Sequence, residues 1–447
     1  MARGDFMAAD QYITGLDLGS YYIKASSITG RNGDIIFSAY GESQGIEDGK
    51  VTDSVRLLSS IRSVMRKLEM KTGSPFTRVF LNVDTAYTRQ EASRGTAVLK
   101  NNEAGEMDLL RAVKNAMRVA KASDEMVADV LIGEYKVDGV SYANPVGTPG
   151  NLIDVTAQTI LGDKEVLKGQ AKVLQSDGIH VLGTGLSVHS MANLMLNRRQ
   201  RYKGALLIDS GHRKTDVVVL RNNRIVYSVT IPLGGRTITK DISIVLKISM
   251  NEGEALKKEF GSGHLDPNHP KYDLISDIVQ ARVQEILGIV MEGFHEYPDH
   301  GEIEQVMVYG GGLAGFNQIQ EMAEDVLPLS TNYLTSDIIG SDDIFTLNAT
   351  GCAFNMIHEL QSGLIAELWE TPEPPATENG QDEENYFSIF DKVRQKAGNS
   401  VKQIMQDDED DDNYEPVKDS PRTAEDFRRK ASENSVSSKL KKLFGIE

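Results

Sequence analysis

The chain has 447 residues, 40% hydrophobic and 25% charged, which is ordinary for a folded protein and enough for more than one buried core. Acidic residues outnumber basic ones 65 to 48, a net charge of -17. That balance argues against a binder of duplex nucleic acid, whose affinity comes from neutralising phosphates. A single cysteine, Cys352, excludes an intrachain disulfide and a cysteine-rich metal site. No apolar run approaches the ~20 residues that span a bilayer, and Met1 to Gln11 carries no signal-peptide core. The expectation is a soluble, intracellular, acidic α/β protein of several domains.

In chain order, Tyr12 to Gly19 reads as a strand ending in a turn, and Ile23 to Thr29 and Ile35 to Gly41 read as two further strands. Ser54 to Leu68 places apolar residues at 57, 58, 61, 64, 65 and 68, the stripe of a helix. Val79 to Val83 predicts a strand, and Leu109 to Ala120 a helix. A second strand-turn-strand unit starts at Gly204 and is completed by Thr215 to Leu220 and Arg224 to Ile231. It repeats the first: Gly15-Leu-Asp17-Leu-Gly19 compares with Leu207-Ile-Asp209-Ser-Gly211. Such an internal repeat predicts a duplicated core with a cleft between the halves. Val306 to Tyr309 is a strand, followed by Gly310, Gly311 and Gly312 and a helix from about Asn317.

The two turns, Asp17-Leu-Gly19-Ser20-Tyr21-Tyr22 and Asp209-Ser-Gly211-His212-Arg213-Lys214, end strands where glycine lets backbone N–H groups approach phosphate oxygens. Asp17 and Asp209 are the candidates to hold Mg²⁺ through water. Either turn alone is commonly only a turn. The Gly310–Gly312 loop adds a strand, a glycine-rich bend and a helix start, which suits a nucleotide. Glu254 and Lys257 lie one helical turn apart on one face, available to an adenosine ribose and base or paired as surface ions. The eight histidines show no metal-ligand spacing.

Together with the Asn348-Ala-Thr-Gly-Cys-Ala helix, these loops resemble the layout of the actin, Hsp70 and sugar-kinase superfamily. Within it the chain resembles the FtsA family, the bacterial cell-division actin homologues. The resemblance is carried by Ile46-Glu-Asp-Gly-Lys-Val-Thr-Asp53, by Asn144-Pro-Val-Gly147 with Gly150, and by Ile231-Pro-Leu-Gly234-Gly235-Arg-Thr-Ile-Thr-Lys-Asp241-Ile. It implies an α/β, actin-like (ribonuclease-H-like, duplicated) two-lobed fold. Subdomain 1A would take 12–84 and 163–203, an inserted subdomain 1C 85–162, 2A 204–233 and 303–366, and 2B 234–302. The resemblance also implies ATP in the interdomain cleft and assembly of the protein with itself into filaments. FtsZ would be anchored to the inner face of the cytoplasmic membrane at mid-cell, and later division proteins recruited through 1C. Nucleotide contacts would fall to Asp17, Gly19, Ser20, Tyr21, Tyr22, Lys24, Asp209, Gly211, His212, Arg213, Lys214, Gly234, Gly235, Glu254, Lys257, Gly310, Gly311 and Gly312.

The departures from the family pattern bear on chemistry. Tyr22 stands where the first loop has lysine, and Lys24 lies two residues further from the turn on the same side. His212, Arg213 and Lys214 replace Gly, Gly and Thr of the second loop. Two readings follow: Arg213 or Lys214 meets the phosphates as a charge, or the loop is blocked and the protein is a nucleotide-free structural actin. The retained Asp17, Asp209 and Gly310 loop favour the first. No residue is nominated as catalytic, and hydrolysis is expected to be weak or absent.

From Thr371 to Asn434 there are 17 acidic and 9 basic residues, five prolines and the run Asp407 to Asp412, which predicts a disordered acidic linker. Within it, 386–405 reads as weakly helical. Beyond it, Val436, Leu440, Leu443 and Phe444 form one apolar stripe flanked by Lys439, Lys441 and Lys442, with Ser435 as N-cap. That is an amphipathic helix lying on an anionic membrane surface, weak in one copy and strengthened by avidity in a polymer. Trp369 is expected to cap the last helix. The alternatives weighed are a pilus-assembly-type actin-like scaffold and a small-molecule kinase of the same superfamily.

Overall fold

The computed structural model describes residues 12–29, 36–83, 85–120, 125–142, 144–196, 198–296, 303–327, 331–335 and 346–353. The expectations for Trp369, the linker 371–434, the segment 386–405 and the helix 435–447 lie outside these residues. The described chain divides into two compact units: 12–198 with Asn222–Arg224 and 346–353, and Arg199–Arg221 with 225–335.

The first unit opens with β1 (Tyr12–Leu18), β2 (Tyr22–Thr29) and β3 (Ile36–Glu42), an antiparallel meander. The hairpin of β4 (Ile46–Glu47) and β5 (Lys50–Val51) turns through Asp48 and Gly49, both at positive φ. It leads to α1 (Ser54–Thr72), which starts four residues past Lys50 because the Asp53 carboxylate accepts from the Val55 and Arg56 N–H groups. The helix stops where Gly73 adopts the left-handed conformation. Its apolar stripe Leu57, Ile61, Val64, Met65 and Leu68 is buried against the sheet. β6 (Arg78–Val83) then pairs parallel with β1.

A four-stranded antiparallel sheet interrupts this unit: β7 (Thr88–Val98), α2 (Glu106–Ala120), β8 (Glu125–Val137), β9 (Val140–Tyr142) and β10 (Leu152–Asp163), in the order β7-β10-β8-β9. It has its own core, with Ala112, Val113, Ala116 and Met117 of α2 packed on Val127, Ile153 and Val155. The chain returns through α3 (Lys164–Gln175) and β11 (His180–Leu186), which pairs parallel with β6, and then α4 (Ser187–Met195). The first sheet therefore reads β11-β6-β1-β2-β3. The helical turn 346–353 crosses it at Gly15, where any Cβ would lie 2.1 Å from the Ala349 carbonyl oxygen. Gly15 is thus a packing requirement and not a loose turn residue.

After α5 (Arg198–Lys203), the second unit repeats the plan. β12 (Ala205–Ser210), β13 (Thr215–Arg221) and β14 (Arg224–Ile231) come first, then α6 (Gly235–Leu246), α7 (Met250–Gly261) and α8 (Tyr272–Glu296). β15 (Gln305–Tyr309), α9 (Ile319–Ala323) and β16 (Thr331–Tyr333) follow. Its sheet reads β14-β13-β12-β15-β16, with β15 and β16 added parallel. Both sheets are thus three consecutive strands followed by two parallel additions on the side of the first. The duplication expected from the two Asp-containing turns is present in the topology. Ile238, Ile242, Ile275, Val279, Val283, Ile286 and Leu287 of the helices cover this sheet.

Two sequence expectations need correction. The helix expected from about Asn317 is the short Ile319–Ala323, preceded by turns in which the N–H groups of Gly312, Ala314 and Phe316 bond the Ser210, Gly310 and Leu313 carbonyls. The helix expected from Leu109 begins at Glu106, where Glu106 and Asp108 supply acidic groups to the first turn.

Candidate functional site

The first loop joins β1 to β2. Asp17 lies directly opposite Lys24 in the antiparallel register, so both side chains leave the same face. Lys24 Nζ donates to Asp17 Oδ2 at 2.6 Å, and Asn82 Nδ2, from the parallel β6, donates to Oδ1 at 3.4 Å. Lys24 thus reaches back to the turn despite its two-residue offset. Tyr22, in the position of the usual lysine, packs edge-on against Tyr21 and Tyr40 instead, with ring centroids 4.6 and 5.1 Å away. Ser20 Oγ accepts the Asp48 N–H at 3.0 Å, tying the loop to the β4–β5 hairpin. Gly19 lies close to the Tyr22 carbonyl. Asn82 Oδ1 is buried and has no hydrogen-bond partner among the described residues.

In the second unit, three glycine motifs, Gly211, Gly234–Gly235 and Gly310–Gly312, meet in one place although the first and last are about 100 residues apart in sequence. The Gly235 and Arg236 N–H groups, at the start of α6, donate to the Gly211 and His212 carbonyls at 3.0 and 2.7 Å. Gly312 N–H donates to Ser210 O at 2.7 Å. A Cβ on Gly312 would lie 2.2 Å from the Gly211 oxygen, so three backbone segments touch with no side chain between them. Gly310 has φ +88, and a Cβ there would meet Asp209 Oδ1 at 2.5 Å. Gly234 lies equally close to the Gly211 carbonyl, while Gly311 is exposed at the bend. These contacts explain why glycine occupies the positions singled out from sequence. They also show that the first N–H groups of α6 are already used by the second loop.

The side chains around this backbone cluster are strongly coupled. Lys257 is buried and donates to Glu254 Oε2 (2.7 Å), Thr239 Oγ1 (2.9 Å) and Gly235 O (3.0 Å). The Glu254–Lys257 pair is therefore a buried pair and not the surface pair offered as one reading. Burial pushes the Glu254 carboxyl up, but the Lys257 ammonium and the Thr239 hydroxyl outweigh it and the net direction is down. Burial lowers Lys257. Burial, followed by the positive field of Lys257, pulls His212 down to about 4, so its imidazole is neutral at pH 7.

Asp209 and Asp216 face each other across β12 and β13. Asp216 is neutralised by Lys214 (2.6 Å) and accepts from Thr230 Oγ1 (2.6 Å). Lys214 is accordingly engaged with its own strand. The Tyr309 phenol is fully buried without a hydrogen-bond partner among the described residues; burial, then the charges of Asp209 and Asp216, hold it well above its ordinary range. Arg213 sits half-buried at the turn. Asn82, Thr239 and Tyr309 were not anticipated as site residues from sequence, and Asp216 only as a base under the kinase alternative; their register opposite or beside an anticipated residue points to them. Among the described residues, no group of three or more His, Cys, Asp or Glu is placed to hold a metal ion.

Comparison with known proteins decides the family. A model for cell division protein FtsA matches residues 206–347, and a model for the SHS2 domain inserted in FtsA matches 86–161. The chain is 26% identical over 361 residues to cell division protein FtsA of Bacillus subtilis (strain 168), covering 75% of this chain and 81% of that protein. It is 24% identical over 341 residues to cell division protein FtsA of Neisseria meningitidis serogroup B, covering 71% and 82%. The chain belongs to the FtsA family of cell division proteins. The inserted sheet is the SHS2 domain of that family, and the chain is a cell division actin homologue. A solved PilM–PilN type IV pilus biogenesis complex has a similar fold, with a TM-score of 0.52, 14% identity, and coverage of 77% of this chain and 98% of that one. The pilus-assembly alternative thus shares the fold, while both family models place this chain with cell division.

Proposed function

We propose that this chain is a division-site scaffold that binds an adenine nucleotide, assembles with itself, holds FtsZ at the inner face of the cytoplasmic membrane and recruits later division proteins. The observation that carries the nucleotide reading is the convergence of the Gly211, Gly234–Gly235 and Gly310–Gly312 backbones beside the buried Lys257–Glu254 pair. The fit lies in the close-packed glycines, which keep side chains out of the loops although the first N–H groups of α6 are spent on the second loop, and in Lys257 and Glu254, held in place by Thr239. In the first unit, Asp17, Gly19, Ser20, Tyr21, Tyr22 and Lys24 are the nominated contacts, with Asn82 Oδ1 an acceptor unpaired among the described residues. Arg213 is the nominated cation of the second loop, since Lys214 is held by Asp216.

Mg²⁺ fits less directly. Asp17 is already bonded to Lys24, and an ion retaining most of its waters would have to reach Asp17 or Asp209 through them. Bound nucleotide would supply phosphate charge for such an ion; the protein's part is to orient it. The subdomain boundaries proposed are 12–84 with 163–203, 85–162, 204–233 with 303–366, and 234–302. Isothermal titration with ATP and Mg²⁺ tests the site. Saturable heat that disappears on Lys257→Met, with the circular dichroism spectrum retained, supports it; no heat at millimolar nucleotide refutes it.

The membrane part rests on the sequence of 435–447, since no described helix is long and apolar enough to cross a membrane. Flotation with vesicles containing anionic lipid is expected to be lost on deleting 435–447. Equal flotation of the two chains rejects the anchor.

A further inference from the structure

The insertion's sheet leaves β7 at one edge. Beyond Val98, which lies opposite Leu152, the Leu99 N–H donates to Asn151 O at 2.9 Å. Backbone groups alternate in direction along a strand, so the odd-numbered residues of β7 turn theirs to β10 and the even-numbered ones turn outward. The outward carbonyls of Thr96 and Val98 accept from Asn115 Nδ2 (2.9 Å) and Arg111 Nη2 (2.7 Å) of α2. The same protection covers β3, the edge of the first sheet, where Tyr40 O and Ser38 O accept from Lys67 (2.9 Å) and Lys71 (2.7 Å) of α1. On β7 the protection stops at Thr96. The outward N–H and C=O groups of Gln90, Ala92 and Arg94 have no partner among the described residues.

An unpaired row of this kind templates another strand unless charge or shape guards it. The charges here are drawn back onto the sheet. Arg89 pairs with Glu91 (2.7 Å) and with both carboxylate oxygens of Glu125, and Arg94 pairs with Asp154 (2.9 Å). Gln90 Oε1 accepts from Gln158 at 3.0 Å.

We propose that this edge pairs antiparallel with the same edge of a second copy of the chain, about a two-fold axis through Ala92. The argument is self-complementarity. With the axis at Ala92, Gln90, Ala92 and Arg94 pair only with one another, Ala92 with Ala92 and Gln90 with Arg94, and the ladder ends at Thr88, which falls opposite the capped Thr96. Glu91 then lies opposite Ser93 and Arg89 opposite Gly95, so no like charges are directly opposed. An axis at Glu91 sets two carboxylates together, and one at Ser93 runs Gln90 into the capped Thr96. The small Ala92 side chain lets the strands close at the axis. The result is an eight-stranded sheet across two copies. A two-fold pairing closes on itself, so it is a contact separate from the end-to-end assembly proposed above.

The test uses the full chain without nucleotide or lipid, so it does not depend on the division role. Residues opposed in a hydrogen-bonded antiparallel pair have Cα atoms about 5.5 Å apart, within disulfide range. Ala92→Cys is expected to oxidise to a covalent dimer, while Val140→Cys on the opposite edge strand is not; the native thiol, Cys352, is buried. Ala92→Pro, which removes the central N–H, and Ala92→Lys, which faces two ammonium groups, are expected to raise the dimer Kd at least tenfold by sedimentation. Cross-linking of Ala92→Cys no greater than that of Val140→Cys overturns the proposal. So does a dimer Kd unchanged within twofold in both other variants. Should those two fail to fold by circular dichroism, the cysteine comparison alone decides.

Discussion

Asp17 and Lys24 face each other across β1 and β2, and the 2.6 Å contact supplies at the turn a cation that Tyr22 cannot. The long lysine stem makes up the offset of two residues, so the position of a charge in sequence is a poor guide to where its head group ends. The same holds for Lys257, whose ammonium is fixed by three acceptors from two helices. Lys257→Met leaves Glu254 without its counter-charge in a mostly buried setting and is expected to cost about 3 kcal/mol in urea unfolding. Glu254→Gln combined with Lys257→Met is expected to recover most of that loss, because the stranded charge is then gone. His212 carries a pH signature. Its folded value of about 4 lies below the ordinary 6.5, so the unfolded chain binds the extra proton first. Its contribution to stability is complete above about 6.5 and is lost as pH falls toward 4. Thermal melts across that interval should show a slope that His212→Asn reduces.

At the scale of elements, caps and edges set what the periodicity leaves open. The stripe Leu57 to Leu68 predicts a helix, but its start is fixed by the Asp53 carboxylate bonding two N–H groups. Asp53→Ala is expected to lower stability by about 1 kcal/mol, read as a shift in the denaturation midpoint without a change in slope. α7 is started in the same way by Ser249 and Glu252, which bond each other's backbone N–H groups. α6 has no such side chain at Gly234; carbonyls of the second loop serve instead, so that helix start depends on tertiary structure. The short α9 follows a run of turns in which Gly312, Ala314 and Phe316 bond nearby carbonyls before the helix begins.

At the scale of the molecule, the two sheets share one strand order although their sequences share little beyond an aspartate and a glycine at the first turn. The SHS2 insertion leaves and rejoins the first unit at adjacent points, since Thr88 lies opposite Gly162. It is also fastened by Thr184 Oγ1 to Ala128 O (2.8 Å) and by the Leu186 N–H and His189 Nδ1 to Asp129 (2.8 Å each). Replacing 88–162 by a short linker is expected to give a folded chain. It should be less stable by about 2 to 4 kcal/mol in chemical unfolding, through the lost hydrogen bonds and the exposed acceptors and donors they leave.

The first three strands of each unit, the helix stripe Leu57 to Leu68, the duplicated Asp-containing turns and the glycine positions were legible in the sequence, because period, turn chemistry and the absence of a side chain are local properties; the strands of the insertion and the helix Tyr272–Glu296 were not read from it. The family resemblance was legible for the same reason, being a string of short local motifs. Tertiary structure alone decided that Glu254 and Lys257 are buried together, that Lys24 stands in for Tyr22, that Lys214 is spent on Asp216, and that one sheet edge is capped and another half open. Each of these depends on which segments lie side by side, and a charge or a free backbone group takes its meaning from neighbours that the order of residues does not name.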